Sequence, residues 1–483
     1  MTRQQWYLAI DQGGGSTRAI VYDAESNIIA QAQQAVGVEH PRLGWVEQDA
    51  EELAVSVRRV LDQIGGQLKA KIDQVCAAGL ATQRSNIVCW DNRTGKALSP
   101  AISWQDRRAY QWIEQFQPQR QRVRQKTGLL ITAHYGVSKL KWCLDNLADV
   151  QEAYRLNRLA FGPLASYLVY RLVEQPLNLA DPANASRTLL WNIDSKDWDP
   201  ELLSLFDIPV HCLPRCVATT ALYGDIAMGD HRVPLTVVTG DQSAALYAFG
   251  QPEDETVYIN MGTGVFIQRP TGTRKIDIPR LLCSVVYQSQ RQSHYVIECT
   301  VNGAANALME VEDALGISGA DAERQFDDWL QRHANPPLFL NGVGGLGSPY
   351  WVPDFPCKFI GEGTAEEKIV AVAESILFLI AVNLHVLQAQ YAPVKTLVVT
   401  GGLSNSDGSC QKLANLAKVP VYRPLQREAT AMGVAYLAAG MPQPWHTSEA
   451  GVWFQVQPEP AIQSRFARWH EAMQEELKRF PSY

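Results

Sequence analysis

The first strands show in the alternation of apolar and polar positions. Residues 6–11 form an apolar run closed by an acid, and residues 17–22 alternate and are β-branched, so both read as strands. The same criteria predict strands at 75–81, 86–91, 235–239, 256–260, 265–268, 295–300 and 396–400. A helical period predicts helices at about 49–64, 108–118, 138–147, 163–172, 242–249, 302–315, 320–332, 366–390, 408–417 and 428–439. Strands and helices interleave, which defines an α/β protein. The most apolar long stretch, residues 369–387, is interrupted by Glu374, Asn383 and His385. It lacks the roughly 18 clean apolar residues of a membrane span and is expected to be a buried core helix.

Glycines punctuate this pattern in a repeated order. AIDQGGGSTRAIVYD (9–23) and VYINMGTGVFI (257–267) both run strand, glycine turn, strand. TVVTGDQSAALYA (236–248) and LVVTGGLSNSDGSC (397–410) both run a β-branched strand into glycine and then a helix. A duplicated fold would set these four turns facing one cleft. The triple glycine at 13–15 is no P-loop, because neither Gly-Lys-Ser/Thr nor a helix follows it, and no dinucleotide fingerprint, because a strand follows. On these residues alone it is either a tight hairpin or a turn whose bare backbone accepts phosphate. A long insertion at about 95–230, rich in aromatic and basic residues, is expected to shape a substrate cleft.

Composition narrows the class. At 483 residues two or more domains are expected. A net charge of −7 argues against nucleic acid as a partner, since there is no basic field to recruit phosphate backbones. The start leads straight into a strand with no signal-peptide pattern, and no membrane partner is expected. Nine scattered cysteines without a C-x-x-C pair read as reduced thiols of a cytoplasmic protein. The nine histidines show no metal-ligand spacing.

The segments DQGGGSTRAIVYD, GWVEQDAEEL, GLATQRSNIVCWDNRTGKALSPAISWQDRR, KLKWCLDN, NASRTLLWNID, GDQSAALYAFG, NMGTGVFI, GGLGSPYWVPD and REATAMGVAYLAAG follow one another across nearly the whole chain. Together they resemble the FGGY carbohydrate kinases, glycerol kinases most closely among them. The resemblance implies two actin-like (ribonuclease H-like) α/β domains with an interdomain cleft. It places an acceptor-binding domain at 1–248 and a nucleotide-binding domain at 249–483. The implied activity is ATP- and Mg²⁺-dependent phosphoryl transfer to a hydroxyl of a small polyol or ketose, and the resemblance leaves room for a homodimer. Competing readings are glycerol kinase proper, an actin-like ATPase that moves a partner, and a degenerate member that binds sugar without transferring phosphate. The WQDRR and GDQ segments have no reason to occur in the actin-like alternative.

The resemblance also assigns residues. Asp11 would hold Mg²⁺ through water, although an acid at a strand end also serves as a turn cap. Asp241 would accept the proton of the substrate hydroxyl, although Asp before Gln-Ser-Ala-Ala-Leu is also a good helix N-cap. Arg84 and Gln242 would bond substrate hydroxyls. Trp104 would cover the carbon skeleton, its alternative being core packing, while Asp106, Arg107 and Arg108 read otherwise as a solvated charge cluster. The nucleotide would meet Gly13, Gly14, Gly15, Ser16, Arg18, Gly262, Thr263, Gly303, Gly401, Gly402 and Ser406. Two departures stand out. Gly14 and Gly15 replace the usual hydroxyl residues, and Ser85 stands where glycerol kinases carry the glutamate of Gln-Arg-Glu. His134 aligns with a family tyrosine that a one-residue slip would restore at Tyr135. The shorter, uncharged Ser85 leads us to expect a four- or five-carbon acceptor in preference to glycerol.

Overall fold

The computed structural model describes residues 5–425, 428–443, 445 and 451–480. Residues 1–4 and Arg427, the first residue of the REATAMGVAYLAAG segment, lie outside the described residues. The chain divides into two compact units. The first comprises Met1–Pro252, Cys283–Tyr295 and Glu428–Thr447, and the second Glu253–Leu282, Val296–Arg427 and Ser448–Tyr483.

The first unit is built on a six-stranded sheet. Its strands are β1 (Trp6–Gln12), β2 (Ser16–Tyr22), β3 (Ile28–Ala35), β4 (Val75–Thr82), β5 (Thr220–Met228) and β6 (His231–Gly240), in the spatial order β5-β6-β4-β1-β2-β3. β1, β4 and β6 run parallel, and β1 turns back into β2 as an antiparallel hairpin. Residues 6–10 of β1 are all buried, the mark of a strand covered on both faces. α1 (Ala50–Leu68) begins on Asp49, whose carboxylate accepts the N–H groups of Glu51 and Glu52, and it buries Leu53, Val57, Val60, Leu61 and Ile64. These residues share one core with Leu8, Ile10 and Leu80 of β1 and β4. The Ala429–Ala438 helix also belongs to this unit, and it comes close enough that a Cβ on Gly79 of β4 would lie 2.5 Å from Val434.

The second unit repeats the arrangement. β7 (Thr256–Met261) turns back into antiparallel β8 (Val265–Gly272) and runs parallel to β9 (Thr396–Thr400), which in turn pairs with β10 (Val421–Pro424). The apolar 369–387 stretch falls within a 26-residue helix, Ala365–Gln390, opened by a capping box of Thr364 and Glu367. It passes a length and composition test for a membrane span, yet 89% of its most apolar window is buried inside this unit's core. Its interruptions have partners: Glu374 is ion-paired to Arg465 at 2.6 Å, and the Asn383 amide donates to the Ser348 carbonyl at 2.9 Å.

Two predicted elements come out shorter. The 108–118 helix is Tyr110–Glu114 followed by a 3₁₀ turn at Gln117–Gln119, because Pro118 cannot continue an α-helical ladder. The 242–249 helix is α-helical only over Asp241–Ala245 and continues as turns.

Candidate active site

Three parallel strands of the first unit end together. In register, Asp11 of β1 lies opposite Ala81 of β4, which lies opposite Thr239 of β6; one residue on, Gln12, Thr82 and Gly240 are aligned. The residues that follow these ends are Gly13–Gly15, Gln83–Ser85 and Asp241–Gln242. The carboxyl edge of a parallel sheet is where α/β proteins present ligand-binding groups. Asp11, Arg84, Ser85, Asp241 and Gln242, distant in sequence, thus meet along one edge.

Local packing fixes each of them. A Cβ on Gly240 would fall 2.4 Å from Arg84 Cγ, so the stem of Arg84 lies across that glycine, beside Asp241. The Gln242 N–H donates to Asp241 Oδ1 at 2.7 Å and fixes the carboxylate's orientation. Asp241 and Glu428 are near enough to act on Asp11 electrostatically. Burial and the charges of Asp241 and Glu428 push the Asp11 carboxyl up to about 7 against the pull of Arg18. Arg18 is itself ion-paired to Glu428 at 2.9 Å. Asp11 and Asp241 at the strand ends suit a hydrated divalent cation, which needs only one or two protein carboxylates. Among the described residues no three His, Cys, Asp or Glu side chains converge as a ligand set.

The glycine turn is a hairpin braced from behind. Gly13 N–H closes it on Ser16 O at 3.0 Å, and each of its three carbonyls accepts a bond, from Gln12 Nε2, Gln48 Nε2 and Val36 N. Gln83 Nε2 donates to Gln48 Oε1 at 3.1 Å and so steadies the brace. Among the described residues the N–H groups of Gly14 and Gly15 have no acceptor, and a Cβ on Gly15 would meet nothing within 4 Å. None of the three glycines has a positive φ, so turn conformation does not demand them; a Cβ on Gly13 would lie 3.2 Å from the Ser16 carbonyl oxygen and one on Gly14 3.2 Å from Gln83 Oε1, while Gly15 is open. Gln48 and Gln83 were not among the expected site residues, and their role is invisible until the chain is folded.

Beyond β4, Ser85 adopts φ 66°, is 3% exposed, and its hydroxyl has no hydrogen-bond partner. A strained, buried and unsatisfied serine is a feature found at binding sites. The neighbouring Asn86 accepts the Trp104 N–H through Oδ1 at 2.8 Å. Trp104 is half-buried and not a core residue, with its ring centroid 5.3 Å from that of His134, and His134 meets Tyr135 at 5.0 Å. Both members of the ambiguous pair therefore belong to one aromatic group with Trp104, His134 half-buried and Tyr135 buried.

The expected solvated cluster at Asp106–Arg108 is corrected in part. Asp106 is buried and accepts from Val46 N and from the Arg108 guanidinium, which also reaches Glu47 at 2.6 Å and lies 3.9 Å over the Trp45 ring. Arg107 alone of the three is exposed. Both Asp106 oxygens accept bonds and the Arg108 guanidinium is shared by two carboxylates, the pairing that lets such charges be buried.

In the second unit, Gly262 and Thr263 form the β7–β8 turn, and their carbonyls accept the N–H groups of Ala305 and Ala304 at 3.2 Å. Gly401, at the end of β9, has φ 90°, and a Cβ there would lie 2.6 Å from the Met261 carbonyl. Gly402 has open space around it. Gly303 is packed differently: a Cβ there would strike Asn341 Oδ1 at 2.5 Å, so packing alone requires glycine. Ser406 caps the Asp407–Ala417 helix by accepting Ser409 N–H at 2.9 Å, and its hydroxyl donates to Asp327. Surface cavities of about 800 and 480 Å³ lie elsewhere and contain none of these residues.

Comparison with known proteins agrees with this geometry. The N-terminal domain of the FGGY family of carbohydrate kinases matches residues 6–248, and its C-terminal domain matches 257–441. Glycerol kinase from Acinetobacter baylyi is 35% identical over 442 residues, which cover 90% of this chain and 89% of that protein. Plasmodium falciparum glycerol kinase, solved with ADP, shares the fold at TM-score 0.87 with 22% identity, and xylulose kinase from Rhodospirillum rubrum at 0.83 with 18%; each comparison covers 98% of both chains. Fold and relatives together define an ATP-dependent phosphotransferase with an alcohol group as acceptor. The chain belongs to the FGGY family of carbohydrate kinases and phosphorylates a small polyol or sugar, using ATP with Mg²⁺.

Proposed function

We propose that the acceptor is a four- or five-carbon polyol or ketose, with Asp241 as the base. The observation that supports the site is the registered ending of β1, β4 and β6, which lines up Asp11, Arg84–Ser85 and Asp241–Gln242. Asp241 receives the proton of the attacking hydroxyl, and the Gln242 N–H on its Oδ1 keeps it oriented for that task. Arg84, buried along its stem, offers charge-assisted bonds to neighbouring hydroxyls. Trp104 and His134 line the carbon skeleton. The Gly14 and Gly15 N–H groups take phosphate oxygens in the first unit; Gly262, Thr263, Gly401 and Gly402 do so in the second. Mg²⁺, held near Asp11, supplies neutralisation of phosphate charge.

Ser85 sets the acceptor's length in this reading. Its small, uncharged side chain takes away the charged acceptor that glutamate would offer glycerol, and its hydroxyl is buried without a hydrogen-bond partner. Glycerol itself is the second reading, favoured by relatives named glycerol kinase. We also assign the protein to the cytoplasm, in keeping with nine cysteines that are all free thiols.

ADP release across glycerol, erythritol, xylitol, xylulose and ribulose separates the readings. The expected result is a higher kcat/KM for a four- or five-carbon acceptor than for glycerol. Ser85→Glu is expected to shift preference toward glycerol by about one to two decades, the worth of one hydrogen bond to a charged group. Glycerol as the best acceptor, with no gain from Ser85→Glu, would contradict the assignment.

A further inference from the structure

The Gly136–Asn146 helix carries a lysine where none is needed for solubility. Lys139 is 1% exposed, and its ammonium donates to three backbone carbonyls: Ala133 at 2.7 Å, His134 at 2.8 Å and Tyr135 at 3.2 Å. Among the described residues no carboxylate pairs with it; the nearby Asp106 is already held by Arg108 and the Val46 N–H. An ammonium buried on neutral partners alone is costly, and an apolar side chain of similar length would serve the core better. All three carbonyls belong to the turn entering this helix. On its other side the turn is pinned where Gly136 meets Ile87: a Cβ there would lie 2.9 Å from Ile87 Cγ2. Ile87 follows Ser85 and Asn86, so the same contact region leads back to the acceptor wall.

We propose that Lys139 is a positioning residue for acceptor binding, its three bonds holding the 133–135 turn so that His134 stays against Trp104 and Tyr135 against His134. Three donors on one atom match three converging carbonyls, which an amide with two donors or an apolar chain cannot do. Burial pushes the Lys139 pKa down to about 7, with Asp106 pulling it up and Arg108 and Arg107 adding to the depression. The ammonium thus gives up solvation to make these contacts. The inference rests on the assignment of His134 and Tyr135 to the acceptor site.

The test is steady-state kinetics of the full chain with Lys139→Met and Lys139→Gln, using glycerol and xylulose as acceptors. Loss of the cage is expected to raise the acceptor KM at least about tenfold in Lys139→Met, more than kcat falls, with the ATP KM within about twofold of wild type. Lys139→Gln, which keeps two donors, is expected to fall between wild type and Lys139→Met. A merely structural role would lower thermal stability and move both KM values together, and that pattern would overturn the proposal. If Lys139→Met does not fold, an unchanged acceptor KM in Lys139→Gln overturns it, and failure of both to fold makes Lys139 a folding residue and overturns it too. His134→Ala and Tyr135→Phe separate the layers. If they raise the acceptor KM while the lysine variants do not, the lysine role is wrong; if they too leave it unchanged, the acceptor-site assignment beneath it is wrong.

Discussion

At the scale of residues, charge at the end of β1 is held in a costly state. The Asp11 carboxyl sits in a buried setting with Asp241 and Glu428 nearby, and its pKa is raised from 3.8 to about 7. A carboxyl raised on folding penalises the native state wherever the unfolded chain would ionise it. The penalty begins near the unfolded pKa, grows as pH rises, and levels off above about 7. Asp11→Asn keeps the shape and removes the charge. In metal-free buffer its melting temperature is expected to exceed that of wild type by a margin that widens from about pH 4 to about pH 7 and then stays constant, while turnover is lost. A margin independent of pH, or one that shrinks as pH rises, would contradict this picture. That Asp11 and Asp241 sit at strand ends was legible from the apolar runs before them, whereas the roles expected of them and of Arg84 came from the family resemblance. The Asp106–Arg108 knot was not, because its partners Trp45, Glu47 and Trp142 arrive from other parts of the chain. A run of charges read alone looks like a solvated face.

At the scale of elements, close helix packing sets the position of the Asp241–Ala245 turn. Gly433 of the Ala429–Ala438 helix faces the Asp241–Ala245 turn so closely that a Cβ would lie 1.8 Å from the Ala244 carbonyl oxygen and 3.3 Å from the Ala248 nitrogen. Backbone atoms cannot step aside as a flexible side chain can. Gly433→Ala is expected to destabilise the protein by about 1–3 kcal/mol through overpacking and to lower kcat by displacing Asp241. Gly66, exposed within α1 with nothing within 4 Å of its Cβ direction, is the control; Gly66→Ala should stabilise by about 0.4–1 kcal/mol with unchanged kinetics. Differential scanning fluorimetry and initial rates on both variants check this, and equal behaviour of the two would refute it. Most strands and long helices were legible because burial imposes its period on the sequence. The Pro460–Leu477 helix escaped notice because its buried stripe, Ile462, Arg465, Trp469 and Met473, contains an arginine. That arginine is buried only because Glu374 and the Pro336 carbonyl receive it.

At the scale of the whole molecule, the same plan appears twice. β1–β2 with β4 in the first unit, and β7–β8 with β9 in the second, each place a glycine turn and a parallel strand end side by side. That echo was visible as four glycine-ended strands. What escaped it was the membership of residues 428–447, which follow most of the second unit in sequence yet belong to the first and bring Glu428 to Arg18. The division of labour proposed here puts the proton-accepting carboxylate in the first unit and the nucleotide's glycine turns 262–264 and 401–402 in the second. Asp241→Asn tests the central claim most directly, because asparagine preserves the shape and removes the proton acceptor. With the best acceptor of the panel, turnover is expected to fall by about 10²–10⁴, while ATP binding measured by calorimetry stays close to wild type. An Asp241→Asn protein that turns over at a near-normal rate would contradict the account.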